Sequence, residues 1–137
     1  MAGREDAEAG EPALIQLPAC RIVTVRELCE QVGALANAQV RFVARLESID
    51  CVQGSATFED NGARVVVDTS LLAVSQQPSR VGGLYSVMGE VEVDDATGAE
   101  ALRVRARIVR AVEGLDTSLW EQALAIRRQY DARVASA

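Results

Sequence analysis

Between Val40 and Glu47 the side chains alternate with a period of two. Val40, Phe42, Ala44 and Leu46 fall on one side, and Arg41, Val43, Arg45 and Glu47 on the other. Successive residues of an extended chain point to opposite faces, so the pattern calls for a strand with one face in a core and one towards water. The same alternation returns near the end of the chain, where Leu102, Val104, Ala106 and Ile108 interleave with Arg103, Arg105 and Arg107. Strands of this kind require a sheet that is dry on one side and solvated on the other.

The segments between supply the rest of a small barrel. Ala56–Glu59 and Arg64–Val67 flank Asp60-Asn61-Gly62, and Asn-Gly is the strongest short hairpin signal because both residues tolerate positive φ. Leu71, Leu72 and Val74 ahead of Pro78 suggest one or two helical turns within Ser70–Val81. A fourth strand is expected over Leu84–Val93, where the interior Gly89 permits the sharp coil of a small barrel. Asp94–Glu100 makes the turn into a fifth strand over Leu102–Val112. Upstream, Thr24-Val25-Arg26-Glu27 fits a capping box opening a short helix towards Val32. After Gly114, with Asp116 or Thr117 as N-cap, Leu119, Ala123, Ile126 and Tyr130 recur at helical spacing, giving a terminal helix from about 117 to 134. Residues 1–13 have almost no large apolar side chain and read as a disordered tail; residues 14–137 read as one domain. The order of elements predicts an all-β fold with flanking helices, a five-stranded OB-fold Greek-key barrel with a C-terminal helix.

Composition narrows the function. The net charge is -6, whereas free-standing nucleic-acid-binding domains usually carry a basic balance. All fourteen basic residues are Arg. Without His there is no imidazole base, and without Lys no P-loop lysine or Schiff base, so an enzyme is not expected. Cys20, Cys29 and Cys51 have no paired spacing and are expected as free, mostly buried thiols. No metal or cofactor site is indicated. No run approaches the length of a membrane span, and the start has no apolar leader, so a soluble, unsecreted protein is expected.

Two groups of side chains are candidates for binding. On the terminal helix, Leu119 and Ala123 are expected to cover the barrel, and Trp120, Leu124 and Tyr130 to meet a partner, since buried aromatic anchors dominate interfaces. Arg103, Arg105 and Arg107 could line a groove for phosphates, with Tyr85 as a base-stacking residue; the competing reading is a solvated face paired with carboxylates.

From the fourth strand onward the sequence resembles a known family. Val81-Gly82-Gly83-Leu84-Tyr85-Ser86-Val87-Met88-Gly89-Glu90, Arg105-Ala106-Arg107-Ile108-Val109, Val112-Glu113-Gly114-Leu115 and Leu119-Trp120-Glu121-Gln122-Ala123 with Tyr130 are similar to the Ten-type telomere proteins, the smallest OB-fold subunits of the CST complex. The resemblance is good over Val81–Tyr130, weaker over Val40–Asp68 and poor before Ile22. It implies a non-enzymatic nuclear protein at telomeric chromatin that binds and stabilises the Stn subunit, chiefly through terminal helices. It also implies a large Ctc or Cdc-type subunit, single-stranded telomeric DNA bound by the whole complex, telomerase restraint, and fill-in by polymerase alpha-primase. By the same resemblance, Arg41 and Tyr130 match positions used against the Stn subunit, and Arg133 lies one residue from a third, where Val134 stands. The smallest subunit of replication protein A shares this architecture and is the alternative.

Overall fold

A computed structural model of the chain describes residues 20–94 and 101–136. The expected tail at 1–13 and most of the Asp94–Glu100 turn lie outside the described residues. The elements in order are β1 (Arg21–Ile22), α1 (Val25–Glu30), α2 (Val32–Leu35), β2 (Gln39–Asp50), β3 (Ser55–Asp60), β4 (Ala63–Asp68), a single 3₁₀ turn (Val74–Gln76), β5 (Leu84–Asp94), β6 (Ala101–Ala111) and α3 (Thr117–Ser136).

The barrel closes because β2 is long enough to serve two neighbours. Its first half pairs antiparallel with β5 through Arg45–Leu84, and its second half pairs with β3 from Arg45–Glu59 onward. A bulge between Leu46 and Ser48 places Glu47 as the extra residue there, and bulges add the local coil that closure needs. The circuit runs β2-β3-β4-β6-β5 and back to β2, with β4 and β6 parallel. That is the OB arrangement expected from the sequence. The short β1 lies alongside β2, pairing parallel at Val40 and Arg41.

The core face of β2 is realised as read, while on the outer face Val43 is buried, at 7% exposed, between the exposed Arg41 and Arg45. Val40 and Phe42 are fully buried, and Ala44 and Leu46 are 1% exposed. Phe42, Phe58 and Tyr85 meet edge to face in the interior, with ring centroids 6.5 and 6.0 Å apart, the favoured geometry for aromatic quadrupoles. The hairpin turn is also as read: Asn61 and Gly62 have φ of 52° and 85°, the positive pair of a type I′ turn. The capping box forms with both of its bonds, Glu27 N–H to Thr24 Oγ1 and Thr24 N–H to Glu27 Oε1. It fixes α1 so that Val25 and Leu28, together with Leu35 of α2, join the barrel core.

The helical turn expected between β4 and β5 is a single 3₁₀ turn. Two expectations are corrected. The alternation in β6 does not run through: its register passes from Gly89–Ala106 to Met88–Ile108, leaving Arg107 as an extra, bulged residue. A bulge reverses the facing of everything beyond it, so Ile108 is 45% exposed while Val109 packs on the core. Gly89 is the other half of this device, because a Cβ there would lie 2.2 Å from the Arg105 carbonyl oxygen. Finally, the three thiols are free but exposed, not buried. Each stands at or beyond an element's edge, where the barrel has no interior to offer.

Candidate partner-binding surface

The terminal helix α3 is 20 residues long, about 30 Å at 1.5 Å per residue. Its start is set by Asp116, whose carboxylate accepts the Leu119 N–H at 3.2 Å. The helix then lies against the barrel on one side only. Trp120 is half-buried and Leu124 is 8% exposed, so both face inward. One turn further, Arg128 donates to Glu27 Oε1 and to the Ile22 carbonyl, each at 2.7 Å, and to Glu27 Oε2 at 2.5 Å. Near the start of the helix, Asn61 Nδ2 donates to Glu121 at 3.2 Å.

A second face of α3, about 100° round the helix from the first, is apolar and uncovered. Leu119, Ile126, Tyr130 and Val134 are 61%, 65%, 63% and 55% exposed, and Ala123 between them is exposed as well. Their spacing of three and four residues aligns them in one stripe along the helix. The expected division of labour is therefore partly reversed. Leu124 is a barrel contact, and Leu119 and Ala123 are open. Spacing alone gave two stripes, about 100° of rotation per residue apart, and the Arg128 clasp chooses between them. Neither Glu27 nor Arg128 stood out in the sequence beyond the capping box, because their separation along the chain hides the contact.

Glu27 is shared by the cap of α1 and the dock of α3. The Arg128 hydrogen bonds hold its carboxyl below the usual glutamate range, against partial burial, with Thr24 adding to the lowering. Beside this clasp is a cleft of about 500 Å³ between β1 and α3, lined by Cys20, Arg21, Gln31, Arg127 and Asp131 among others. Partial burial there raises the Cys20 thiol, and the nearby Arg41 charge opposes the rise. Arg41 thus lies near the α3 edge of the barrel, exposed on the outer face of β2. Arg133, also exposed, sits in the last turn of α3.

The arginine stripe is less available. Arg105 and Arg103 reach Glu92 across the β5–β6 ladder at 2.5 and 3.5 Å, so two of the three guanidinium groups already face a carboxylate. Arg107 sits on the bulge and is exposed. Tyr85 is not a stacking platform. It is 7% exposed, packs on Phe58 inside the barrel, and its phenol oxygen accepts the Ser79 and Arg80 N–H groups at 3.3 and 3.0 Å. Its position inside follows from its register opposite Ala44, whose side chain is also interior.

Among the described residues no helix is long and apolar enough to cross a membrane. No group of three or more His, Cys, Asp and Glu side chains that could hold a metal occurs there either.

A comparison with curated proteins found no match. Solved structures do match. The telomere capping protein Ten1 from Saccharomyces pombe has a TM-score of 0.65 at 13% identity, over 81% of this chain and 99% of that one. A chain of the S. pombe Stn1–Ten1 complex gives the same score and identity over 81% and 93%. The hypothetical protein ygiW of E. coli follows at 0.51 and 16%, over 69% and 94%. At such identities these likenesses speak for the fold alone. A family model, described as telomere-capping, CST complex subunit, matches residues 16–133. Because that match spans nearly the whole barrel and its terminal helix, the chain belongs to the family of telomere-capping CST complex subunits.

Proposed function

We propose that the chain is the small, non-enzymatic subunit of a nuclear CST complex and that it docks on a Stn-type partner through the exposed face of α3. The observation that carries this reading is the stripe Leu119, Ala123, Ile126, Tyr130 and Val134, open on a helix whose other side is already anchored. An isolated soluble domain has little reason to keep such a stripe in water, and a partner helix buries it by interlocking at the same three- and four-residue spacing. Trp120 at the margin, Arg41 and Arg133 extend the contact. The S. pombe Ten1 relative was crystallised with Stn1, which supports the choice of partner.

In this role the subunit stabilises its partner and supports single-stranded telomeric DNA binding by an assembly that also contains a large Ctc or Cdc-type subunit. Telomere capping, restraint of telomerase and fill-in by polymerase alpha-primase belong to that assembly. The chain's own affinity for DNA is weak and steeply salt-dependent, carried by the Arg103, Arg105 and Arg107 stripe. Co-expression tests the reading. A Stn-type partner is recovered with the wild-type chain, and Leu119→Asp with Tyr130→Ala weakens recovery by at least about a hundredfold, the scale of a central hot spot. Recovery instead with the middle subunit of replication protein A would replace this reading.

A further inference from the structure

At one end of the barrel two turns lie side by side: the tip between β2 and β3, residues 51–54, and the segment that follows β4, residues 69–77. The Thr69 N–H and hydroxyl both donate to the Gly54 carbonyl, at 2.9 and 3.1 Å, and so bind one turn to the other. Each turn is also fixed within itself. Asp50 Oδ1 accepts the Val52 and Gln53 N–H groups, each at 3.1 Å. Gln77 Nε2 donates to the Thr69 and Leu72 carbonyls at 2.9 and 3.1 Å. Leu72 joins the barrel core, and Pro78 is buried.

Val52, Leu71 and Val74 do the reverse. They are 94%, 60% and 92% exposed, and Ala73 is exposed with them. Single exposed apolar residues are ordinary, but these stand on two turns locked together, which makes them a displayed patch. The surroundings are uncharged. Residues 51–58 and 69–79 contain no charged side chain, in a chain of which 25% is charged. Gln53, Ser70, Ser75 and Gln76 give an exposed polar rim. Of the flanking carboxylates, Asp50 caps its own turn, and Asp68 Oδ1 accepts the Ser70 N–H and hydroxyl at 2.9 and 2.7 Å. We propose that this end of the barrel is a self-association surface and that a second copy of the chain occupies it. None of its residues belongs to the α3 stripe or to the arginine stripe.

Charge chooses that occupant. Two copies of net charge -6 repel one another, and the two uncharged turns are a place where they can meet without opposing like charges. An apolar patch is its own complement, so a two-fold axis through this end brings the same three side chains of both copies together. A nucleic-acid strand finds no cation here to replace its counterions. An anionic membrane surface finds no basic rim to attract it. The association is weak, because a stable interface takes roughly 20–30 residues a side and the two turns offer fewer. It appears at roughly 0.1 mM protein and above, the range of transient encounters.

The test uses the full chain with Cys20→Ser and Cys29→Ser, which leaves the exposed Cys51 next to Val52, and a short bismaleimide cross-linker. A covalent dimer forms through Cys51 in a yield that rises with protein concentration, and light scattering shows the same dimer without the reagent. Cys51→Ser alone, which keeps Cys20 and Cys29, gives no cross-link. Val52→Asp with Val74→Asp weakens the dimer by at least about tenfold, as central contacts do, and an unchanged melting temperature shows that the variant is folded. Leu71→Ser acts in the same direction. Raising salt from about 0.05 to 0.5 M strengthens the dimer, since repulsion is screened and the apolar contact is not. Leu119→Asp with Tyr130→Ala leaves it intact, so the outcome is independent of the α3 reading. A monomer at every concentration, cross-linking through Cys20 or Cys29 as strong as through Cys51, or a dimer that weakens with salt overturns the proposal. So does a dimer lost in the α3 variant and kept in Val52→Asp with Val74→Asp. Binding of a thymidine oligonucleotide or of phosphatidylserine vesicles that the same pair abolishes, in place of a dimer, overturns it too.

Discussion

Single residues show how little their type says about their duty until their surroundings are fixed. Tyr85 and Tyr130 are the two tyrosines of the chain; one is 7% exposed and the other 63%. Tyr85→Phe removes the acceptor for the Ser79 and Arg80 N–H groups, so thermal or urea unfolding should register a loss of about 1 kcal/mol, with DNA affinity unchanged. Tyr130→Ala behaves in the opposite way. It should leave the melting temperature within experimental error and weaken partner recovery, because the residue is 63% exposed and outside the core. Among the described glycines, Gly89 is the most tightly enclosed. Gly89→Ala drives a methyl group into the Arg105 carbonyl, 2.2 Å away, and should cost at least about 3 kcal/mol or unpair β5 from β6, beyond the usual range of overpacking. Loss of β-sheet signal in circular dichroism would check it.

At the scale of elements, the terminal helix is held by a few specific contacts. Leu124, the Arg128 clasp and Asn61–Glu121 attach it. Arg128 remains 41% exposed at its side chain, so solvent screening reduces the contribution of the ion pair. Arg128→Ala should lower stability by about 1 kcal/mol, since its hydrogen bonds are charge-assisted but partly wet. Hydrogen exchange should rise along α3 before it rises in the barrel. The same clasp gives a pH dependence of definite sign. Glu27 has a folded-state pKa below its ordinary value, so its contribution is fully present above about pH 5 and is lost as pH falls through the lowered folded value. Asp60 acts the other way: burial, Glu121 and Glu59 raise its carboxyl, and folding is eased there by protonation. Stability measured from pH 6 down to pH 3 in wild type and Glu27→Gln separates them. The variant should be the less stable near pH 6, and its loss on acidification should be the smaller.

At the scale of the whole molecule, an acidic chain keeps its basic groups organised by neighbours of opposite sign. Glu92 pairs with both Arg103 and Arg105 and offsets one of their two charges. Glu92→Gln frees both and should strengthen binding of a single-stranded oligonucleotide at low salt. The slope of log affinity against log salt should steepen by about 1.4 for two added phosphate contacts, and fluorescence anisotropy at several salt concentrations reads it directly. A flat response would show that the stripe does not meet DNA.

The sequence by itself determined the strands, the hairpin and the first helix cap, because each depends on residues close together in the chain. Alternation at Val40–Glu47, the Asn61-Gly62 pair and the Thr24–Glu27 box are local facts, and all three stand in the structure. The terminal helix was equally legible, and the resemblance along Val81–Tyr130 carried the family. What only the tertiary structure decided were matters of facing. A bulge of one residue at Arg107 turned Ile108 out and Val109 in. Arg128, meeting Glu27 from far along the chain, fixed which of two apolar stripes on α3 stays open. Barrel closure placed Tyr85 inside, and the β5–β6 register gave Glu92 to Arg103 and Arg105. Periodicity states that an element has two sides; only packing between distant segments states which side is dry.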